Sequence, residues 1–152
     1  MKVLPALCNN RAILRDWEIS LDGNVRELER LTAWIAEFCA ANALEGDVEF
    51  DLNLVLEELF TNSVRHGGCQ GMPDAARIRL GLTDDGVSVE YSDRGAAFNP
   101  LDAPEPDLAA PLMERQPGGL GVFMVRRVVQ DLRYHRRGES NQITMTRRME
   151  TR

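Results

Sequence analysis

The sequence lacks several features that would place it in a specialised class of protein. Its apolar runs fall well short of the ~20 residues of a membrane-spanning helix, and its start, MKVLPALCNNR, is too polar for a secretory signal. The three cysteines are widely separated and form no CxxC pair, so neither a zinc site nor a disulfide framework is indicated. A formal net charge of −6 argues against direct nucleic-acid binding, which needs a basic face. We therefore expect a cytoplasmic protein with reduced thiols and no membrane contact.

The sequence does contain enough apolar material for one core. Hydrophobic residues make up 43% and charged residues 28% of the chain, a balance typical of globular proteins. The length of 152 residues is common for one domain. No internal repeat or low-complexity segment divides it. We predict a single domain over residues 1–152.

Apolar periodicity predicts an alternation of strands and helices. Strands show alternating apolar and polar residues, and helices show apolar residues three and four apart. Asn24 and Asp47 are candidate helix N-caps, and Gly67-Gly68 is a usual helix stop. The predicted strands cover 12–21, 76–83, 87–92, 132–137 and 141–148, and the predicted helices cover 25–42, 48–66 and 120–130.

The order of these elements is β-α-α-β-β-loop-α-β-β. Most neighbouring strands can pair as hairpins, and the Asp84-Asp85-Gly86 turn marks one of them. Three amphipathic helices need one partner surface. We predict an α+β fold, a two-layer α/β sandwich with a mixed, mainly antiparallel sheet and helices on one face.

The second predicted helix carries polar side chains one turn apart. Glu58 and Asn62 are four residues apart and share a face, and His66 continues the line. The amide oxygen of Asn62 is a hard neutral ligand suited to Mg²⁺. Glu58 can accept a proton from a nucleophile or orient water. An ordinary solvated helix face is the alternative interpretation of this helix alone.

The segment YSDRGAAFNP follows the hairpin. Asp93 stands at a strand end, and as a carboxylate it can accept the exocyclic amino group of a purine. Gly95 allows the chain to approach a ligand closely. Packing explains Phe98 better than stacking on a ligand does. A plain turn after a hairpin is the alternative.

The segment QPGGLGVFMVRRVVQDL opens the third helix. Its glycines, Gly118, Gly119 and Gly121, bare the backbone at a helix N-terminus, which attracts phosphate. It is not a Walker-type loop, because no lysine follows, and GxGxxG is absent. A glycine-rich hinge is the alternative.

The order and spacing of the three segments resemble the ATP-binding domain shared by gyrase, Hsp90, histidine kinases and MutL, known as the GHKL or Bergerat fold. Within that superfamily the chain is similar to the bacterial anti-sigma-factor serine/threonine kinases. The resemblance covers nearly the whole chain, from the first strand to about Met149. Its motifs are EELFTNSVRHG, DRGAAFNP and GGLGVFMVRRVVQD.

The resemblance implies a role for each motif. It implies that Glu58 is the general base, Asn62 the Mg²⁺ ligand and Asp93 the adenine-binding residue, and that residues 101–117, rich in proline, form the ATP lid. The nucleotide-binding residues that we predict on this basis are Asn62, His66, Asp93, Gly95, Ala97, Phe98, Gly118, Gly119, Leu120, Gly121, Val122 and Thr144.

The chain departs from the family pattern in three places. Ala97 stands where many relatives have a second glycine, and the lid is rich in acidic residues, with Arg115 and Arg126 as the candidate cations near the γ-phosphate. The closing strand, ESNQITMTRR, lacks a clear Gly-Thr box. The phosphate contact on it is open between Ser140, Asn141, Gln142 and Thr144, and we select Thr144.

The resemblance implies a kinase that uses ATP and Mg²⁺ to phosphorylate serine or threonine of an anti-anti-sigma protein, or that binds a sigma factor. The apolar stripe of the first helix is a candidate surface for a sigma contact or a homodimer. Because the predicted domain begins almost at Met1, we do not expect the histidine-kinase branch, in which a dimerising segment precedes the domain. The alternative is a non-catalytic, nucleotide-gated binding module. A third interpretation, ATP hydrolysis that drives dimer clamping as in gyrase or MutL, is less well supported than these two. Those proteins carry a transducer domain, which we do not expect here.

Overall fold

The computed structural model describes residues 7–8, 11–12, 16–111, 113 and 119–150. These residues form seven strands and three helices. They are β1 (Leu7–Cys8), β2 (Arg11–Ala12), β3 (Asp16–Leu21), α1 (Glu27–Ala41), α2 (Gly46–Arg65), β4 (Ala76–Thr83), β5 (Gly86–Asp93), α3 (Gly119–Val128), β6 (Gln130–Arg137) and β7 (Ser140–Arg148).

The main sheet has five strands in the order β3-β4-β5-β7-β6. All of its described pairings are antiparallel, which corrects the predicted mixed sheet. The reason lies in the connection after β5. It leads through α3 to the edge strand β6, and the chain then turns back as β7 between β6 and β5, so neighbouring strands always run in opposite directions. β1 and β2 form a separate two-stranded pair.

One face of the sheet and all three helices share one hydrophobic core. Strand residues alternate between faces, and the core-facing set of β7 is Asn141, Ile143 and Met145. Of these, Ile143 and Met145 join the core cluster with residues of every helix. The two-layer architecture predicted from the sequence is therefore confirmed. Other members of the core are Leu31, Ile35, Phe38, Leu52, Leu56, Phe60, Ile78, Leu80, Val89, Tyr91 and Val125.

The helix starts differ from those predicted. Helix α2 begins at Gly46 with Glu45 as its extended N-cap residue, so the prediction of Asp47 as the cap is wrong. Asp47 lies in the first turn instead, where its negative charge suits the positive end of the helix dipole. The N-cap residue of α1 is Arg26, so the prediction of Asn24 as the cap is also wrong. Asn24 lies three positions before Glu27, and its Oδ1 accepts the Arg26 backbone N–H at 2.9 Å.

The hairpin of β4 and β5 turns where the sequence predicts, between Thr83 and Gly86. Along the described ranges, none of the helices has both the length and the apolar character to cross a bilayer.

Candidate functional site

A cavity of about 310 Å³ opens between the C-terminal half of α2 and the ends of β5 and β7. Five of the predicted site residues line it: Asn62, His66, Asp93, Ala97 and Phe98. They come from two distant segments of the chain, and the fold brings them together as the sequence predicts. The other lining residues are Leu59, Ser63, Gly67, Tyr91, Ala96 and Ile143.

The carboxylate of Asp93 is the principal charged group buried at this cavity, with only 8% of the residue exposed. Its Oδ1 accepts the Gly95 backbone N–H at 2.9 Å and the Asn141 side-chain amide at 2.8 Å. Its Oδ2 accepts the Ser63 hydroxyl at 2.5 Å. All three partners donate to Asp93, which is the pattern of an ionised carboxylate. Such a carboxylate presents only acceptor positions to the cavity.

The Ser63 hydroxyl also contacts the phenol of Tyr91, which is fully buried. Burial and, second to it, the negative charge of Asp93 raise the pKa of Tyr91. The phenol therefore keeps its proton and can donate it to Ser63. The Tyr91 hydroxyl then donates to the Ser63 oxygen, and the Ser63 hydroxyl donates to Asp93 Oδ2. These two hydrogen bonds form a chain.

The loop after β5 is held against the end of α2. Gly67 follows α2, and its carbonyl oxygen accepts the Ala96 backbone N–H at 2.9 Å. A Cβ at Gly95 would lie 2.9 Å from that same carbonyl oxygen, so a side chain there would force the backbones apart. This contact places Asp93 beside the last turns of α2, where Asn62 and Ser63 lie.

Glu58 and Asn62 meet as their spacing predicts. The Asn62 amide Nδ2 donates to Glu58 Oε1 at 3.2 Å. Since the amide nitrogen is used in this way, the Asn62 oxygen Oδ1 remains as the atom that can bind a cation. Among the described residues no three His, Cys, Asp or Glu side chains converge. A Mg²⁺ ion here would need most of its oxygen ligands from a substrate and water, which is how Mg²⁺ commonly binds.

The N-terminus of α3 lies directly against Glu58. A Cβ built on Gly121 would lie 1.9 Å from the Glu58 carboxyl carbon. Glycine at this position therefore lets the helix start approach the carboxylate. Gly119, Leu120 and Gly121 are the first three residues of α3, and the backbone N–H groups of a helix's first turn have no partner within the helix. The Glu58 carboxylate and these N–H groups thus border one space.

The side chains of α3 point in different directions. Leu120 is 47% exposed, whereas Val122 is buried at 2%, so Val122 can offer a ligand only its backbone. Arg126 donates to the Ala103 carbonyl oxygen at 3.1 Å, which ties the start of the predicted lid to α3. Gly118 and Arg115 lie outside the described residues.

Thr144 is not brought to the cavity. It pairs with Glu90 on β5 and points to the sheet face opposite Ile143, which lines the cavity. We therefore leave Thr144 out of the site proposed below. The physical reason is that neighbouring residues of a strand point to opposite faces of the sheet, so Thr144 faces away from the cavity that Ile143 lines.

Asn141, one of the alternatives left open on this strand, is the β7 residue that reaches the site, but it lies beside Asp93 and not at the phosphate contact for which Thr144 was selected. It is 2% exposed and, besides Asp93, donates to the Ala96 carbonyl oxygen at 2.8 Å. The alternation of β7 contained a signal for it, because Asn141 is the polar member of a set completed by Ile143 and Met145. Sequence reasoning missed Ser63 and Tyr91, and it missed Tyr134 and Arg136, which donate to Asn141 Oδ1. Their types and spacing carry no such signal.

The family model of the histidine kinase-like ATPase domain matches residues 21–147. A serine/threonine-protein kinase of Bordetella bronchiseptica, BtrW, is 34% identical over 113 residues, covering 74% of this chain and 80% of that protein. The solved structure of the RsbU and RsbW domains of Rv1364c from Mycobacterium tuberculosis matches with a TM-score of 0.65. It is 19% identical and covers 91% of this chain but 33% of that chain, so this likeness shows the fold alone.

Proposed function

The chain belongs to the histidine kinase-like ATPase domain family, and on that premise we propose that it is an ATP-dependent serine/threonine protein kinase of the anti-sigma-factor type. Its substrate is a serine or threonine hydroxyl of an anti-anti-sigma protein. The observation that carries the proposal is the convergence of Glu58, Asn62 and the N-terminus of α3 beside the cavity that holds Asp93.

The cavity suits an adenine base. Its lining combines apolar side chains, such as Leu59 and Ile143, with the acceptor-only carboxylate of Asp93. An exocyclic amino group donates hydrogen bonds, so Asp93 is the group that we assign to it. Ala97, Phe98 and His66 stand at the rim and are assigned to the nucleoside.

The phosphates are assigned to the start of α3. Unpaired N–H groups and the helix dipole favour anions at this position, and Gly119 and Gly121 leave the backbone uncovered. Mg²⁺ is assigned to the Asn62 oxygen, and when bound it supplies positive charge that offsets the phosphate charge. The phosphates are thus assigned to the N-terminus of α3, which is also the helix end that Glu58 contacts.

Glu58 is the general base in this proposal. It accepts the proton of the partner's hydroxyl as the hydroxyl oxygen bonds to the γ-phosphorus. The bond between that phosphorus and the bridging oxygen breaks, and ADP leaves. Positioning and charge stabilisation supply most of the catalysis in phosphoryl transfer, so few side chains are needed.

The kinase assignment is supported by the 34% identity to BtrW, which is named a serine/threonine-protein kinase. The partner class is supported by the motif resemblance to anti-sigma-factor kinases. A cytoplasmic location, a sigma-factor contact and a homodimer remain predictions of the same resemblance.

The test uses γ-labelled ATP, the purified chain and a purified anti-anti-sigma protein from the same genome. We expect label on a serine or threonine of the partner. Glu58→Gln should keep ADP affinity and lose transfer by about 10²–10⁴-fold, the usual contribution of a general base. Glu57→Gln is the matched control, because Glu57 faces Thr32 of α1 instead.

A second variant, Gly121→Ala, tests the same geometry from α3. The new methyl group would occupy the space of the Glu58 carboxyl and displace it, while alanine favours the helix by about 1 kcal/mol. We expect a stable protein with impaired transfer. Nucleotide binding without label on any partner residue, in the wild type, would favour the nucleotide-gated module instead.

A further inference from the structure

Asn141 makes hydrogen bonds to three segments of the chain, namely β5, the loop after β5, and β6. Its Nδ2 donates to Asp93 Oδ1 and to the Ala96 carbonyl oxygen, both at 2.8 Å. Its Oδ1 accepts Tyr134 Oη at 2.6 Å, Arg136 Nη1 at 3.1 Å and the Phe98 backbone N–H at 3.3 Å. Acceptors surround the nitrogen and donors surround the oxygen, so the orientation of the amide is determined by its partners.

The lone pairs of Asp93 are nearly all used. An ionised carboxylate has about four acceptor positions. Gly95 and Asn141 use two on Oδ1, and Ser63 uses one on Oδ2. One position on Oδ2 remains, and Asp93 lines the cavity. A ligand therefore finds a single acceptor there.

We propose that Asn141 is a positioning residue that makes Asp93 select a 6-amino purine over a 6-oxo purine. It does so by donating to Oδ1, which holds the carboxylate in one orientation with its free acceptor toward the cavity. A 6-amino group donates to that acceptor, whereas a 6-oxo group presents a second acceptor and is repelled. The inference rests on the proposed nucleotide site and adds the residue that sets its base preference.

The edge hairpin supports this role of Asn141. Tyr134 and Arg136 of β6 both donate to Asn141 Oδ1, and Arg136 also donates to the Gly95 carbonyl oxygen at 2.7 Å. The three side chains thus join the β6–β7 hairpin to the loop that carries Gly95 and Ala96. Without the amide of Asn141, both Asp93 and this loop lose a donor.

The experiment compares ADP with inosine diphosphate by titration calorimetry between pH 6 and 8.5. The two differ at the purine 6-position, amino against oxo, and consequently at N1, which is an acceptor in ADP and carries a proton in inosine diphosphate. The wild type should prefer ADP by about 10- to 100-fold, the value of one charge-assisted hydrogen bond. The preference should change little with pH.

Asn141→Asp is the critical variant, because it keeps the shape and removes the donor. At pH 8.5 two carboxylates would face each other, and the preference for ADP should fall by about tenfold or more. Two adjacent carboxylates share a proton as the pH is lowered. At pH 6 the shared proton restores one donor to Asp93, so the ADP preference should recover in part.

Gln142→Glu is the matched control. Gln142 is the next residue of β7 and donates to Glu90 Oε1 at 2.9 Å, so the substitution also creates a carboxylate pair between β5 and β7. This pair lies on the opposite sheet face. We expect the control to keep the wild-type preference at every pH, whatever stability it loses.

The outcomes separate the two proposals. A wild type that binds neither nucleotide would contradict the nucleotide site itself. A wild type that binds ADP, together with a folded Asn141→Asp protein that keeps its preference at pH 8.5 or loses it no more than Gln142→Glu does, would overturn the role of Asn141. If Asn141→Asp does not fold, Tyr134→Phe decides. It removes one donor to Asn141 and should weaken ADP binding about two- to tenfold, and an unchanged affinity would overturn the role.

Discussion

Two carboxylate–amide pairs join β5 to β7, and they lie on opposite faces of the sheet. Asp93 and Asn141 meet at 2.8 Å on the helix-covered face, and Glu90 and Gln142 meet at 2.9 Å on the other. The chemical groups are the same and the distances nearly equal. Their surroundings differ, because Asp93 and Asn141 are buried and Glu90 and Gln142 are only half-buried.

The comparison shows that the sheet face, rather than the residue type, determines what such a pair can do. Water competes for the groups of the half-buried pair, so its net worth is small. The buried pair has no such competition, and its remaining acceptor lies at a cavity. Four predictions sharpen or break this contrast, from the largest effect to the smallest.

Replacing Asp93 by asparagine should have the largest effect. The change replaces one carboxylate oxygen by an amide nitrogen that donates, opposite either Gly95 and Asn141 on Oδ1 or Ser63 on Oδ2. It also removes the charge offered to the purine amino group. We expect ADP affinity, measured by calorimetry, to fall about 100-fold. Glu90→Gln on the opposite face should stay within about twofold. Equal losses from the two variants would contradict the contrast between the faces.

Replacing Ser63 by alanine should lower stability. The buried Tyr91 hydroxyl and Asp93 Oδ2 would both lose a partner. We expect the free energy of unfolding in urea to fall by about 1–2 kcal/mol, after a small gain in helix propensity. Ser92 is the control, since its hydroxyl lies near the Arg77 carbonyl oxygen on the opposite face. Ser92→Ala should cost less than about 0.5 kcal/mol, and a larger cost would weaken the comparison.

Raising the pH should lower the free energy of unfolding, because Cys39 is buried in the core on the helix-covered face of the sheet. Burial and, to a lesser extent, the charge of Glu49 raise its pKa to about 11. The unfolded chain loses this proton near its ordinary value of 9.0, so it binds fewer protons than the folded chain between about pH 9 and 11. Stability is full below pH 9 and decreases as the pH rises toward 11.

Urea midpoints measured at pH 8 and 10.5 check this prediction. Tyr91, whose pKa is also raised, contributes to the same loss. Cys39→Ala should therefore reduce the pH dependence without abolishing it. A midpoint difference identical in the two proteins would remove Cys39 from the explanation.

The ion pairs of the opposite face should contribute least. Arg79 Nε lies 3.3 Å from Glu18 Oε2, with the two side chains 36% and 48% exposed. A double-mutant cycle of Arg79→Met and Glu18→Gln should give a coupling energy below about 1 kcal/mol, and lower in high salt. A coupling energy larger than the loss of unfolding free energy caused by Ser63→Ala would contradict the prediction that the exposed ion pair contributes less than the buried hydroxyl.

Local patterns were sufficient for most of the fold. The alternation of Val87, Val89 and Tyr91 predicted a strand, and the Asp84-Asp85-Gly86 turn predicted its hairpin partner. The stripe that includes Leu31 and Ile35 predicted α1. These predictions succeed because neighbours in sequence produce the amphipathic face that the core requires. The extent of the domain, 1–152, remains a prediction.

The site was predicted in part. Glu58 and Asn62 meet because four residues make one helical turn, which is a local relation. The choice of Thr144 failed because the family pattern was applied without the strand period, which would have favoured Asn141. Arg136 could not have been found, since its contact with the Gly95 carbonyl oxygen depends on β6 lying beside β7 at the sheet edge.

The sequence by itself determined the five strands of the main sheet and the three helices, but not the short pair of β1 and β2. It also determined the helical pairing of Glu58 with Asn62 and the glycines at the start of α3. Only the tertiary structure decided that Asp93 meets Ser63 and Asn141, which are 30 and 48 positions away along the chain. Secondary structure follows from interactions between near neighbours. Hydrogen-bond partners at such separations depend on how the sheet and helices pack, and a linear pattern does not contain that packing.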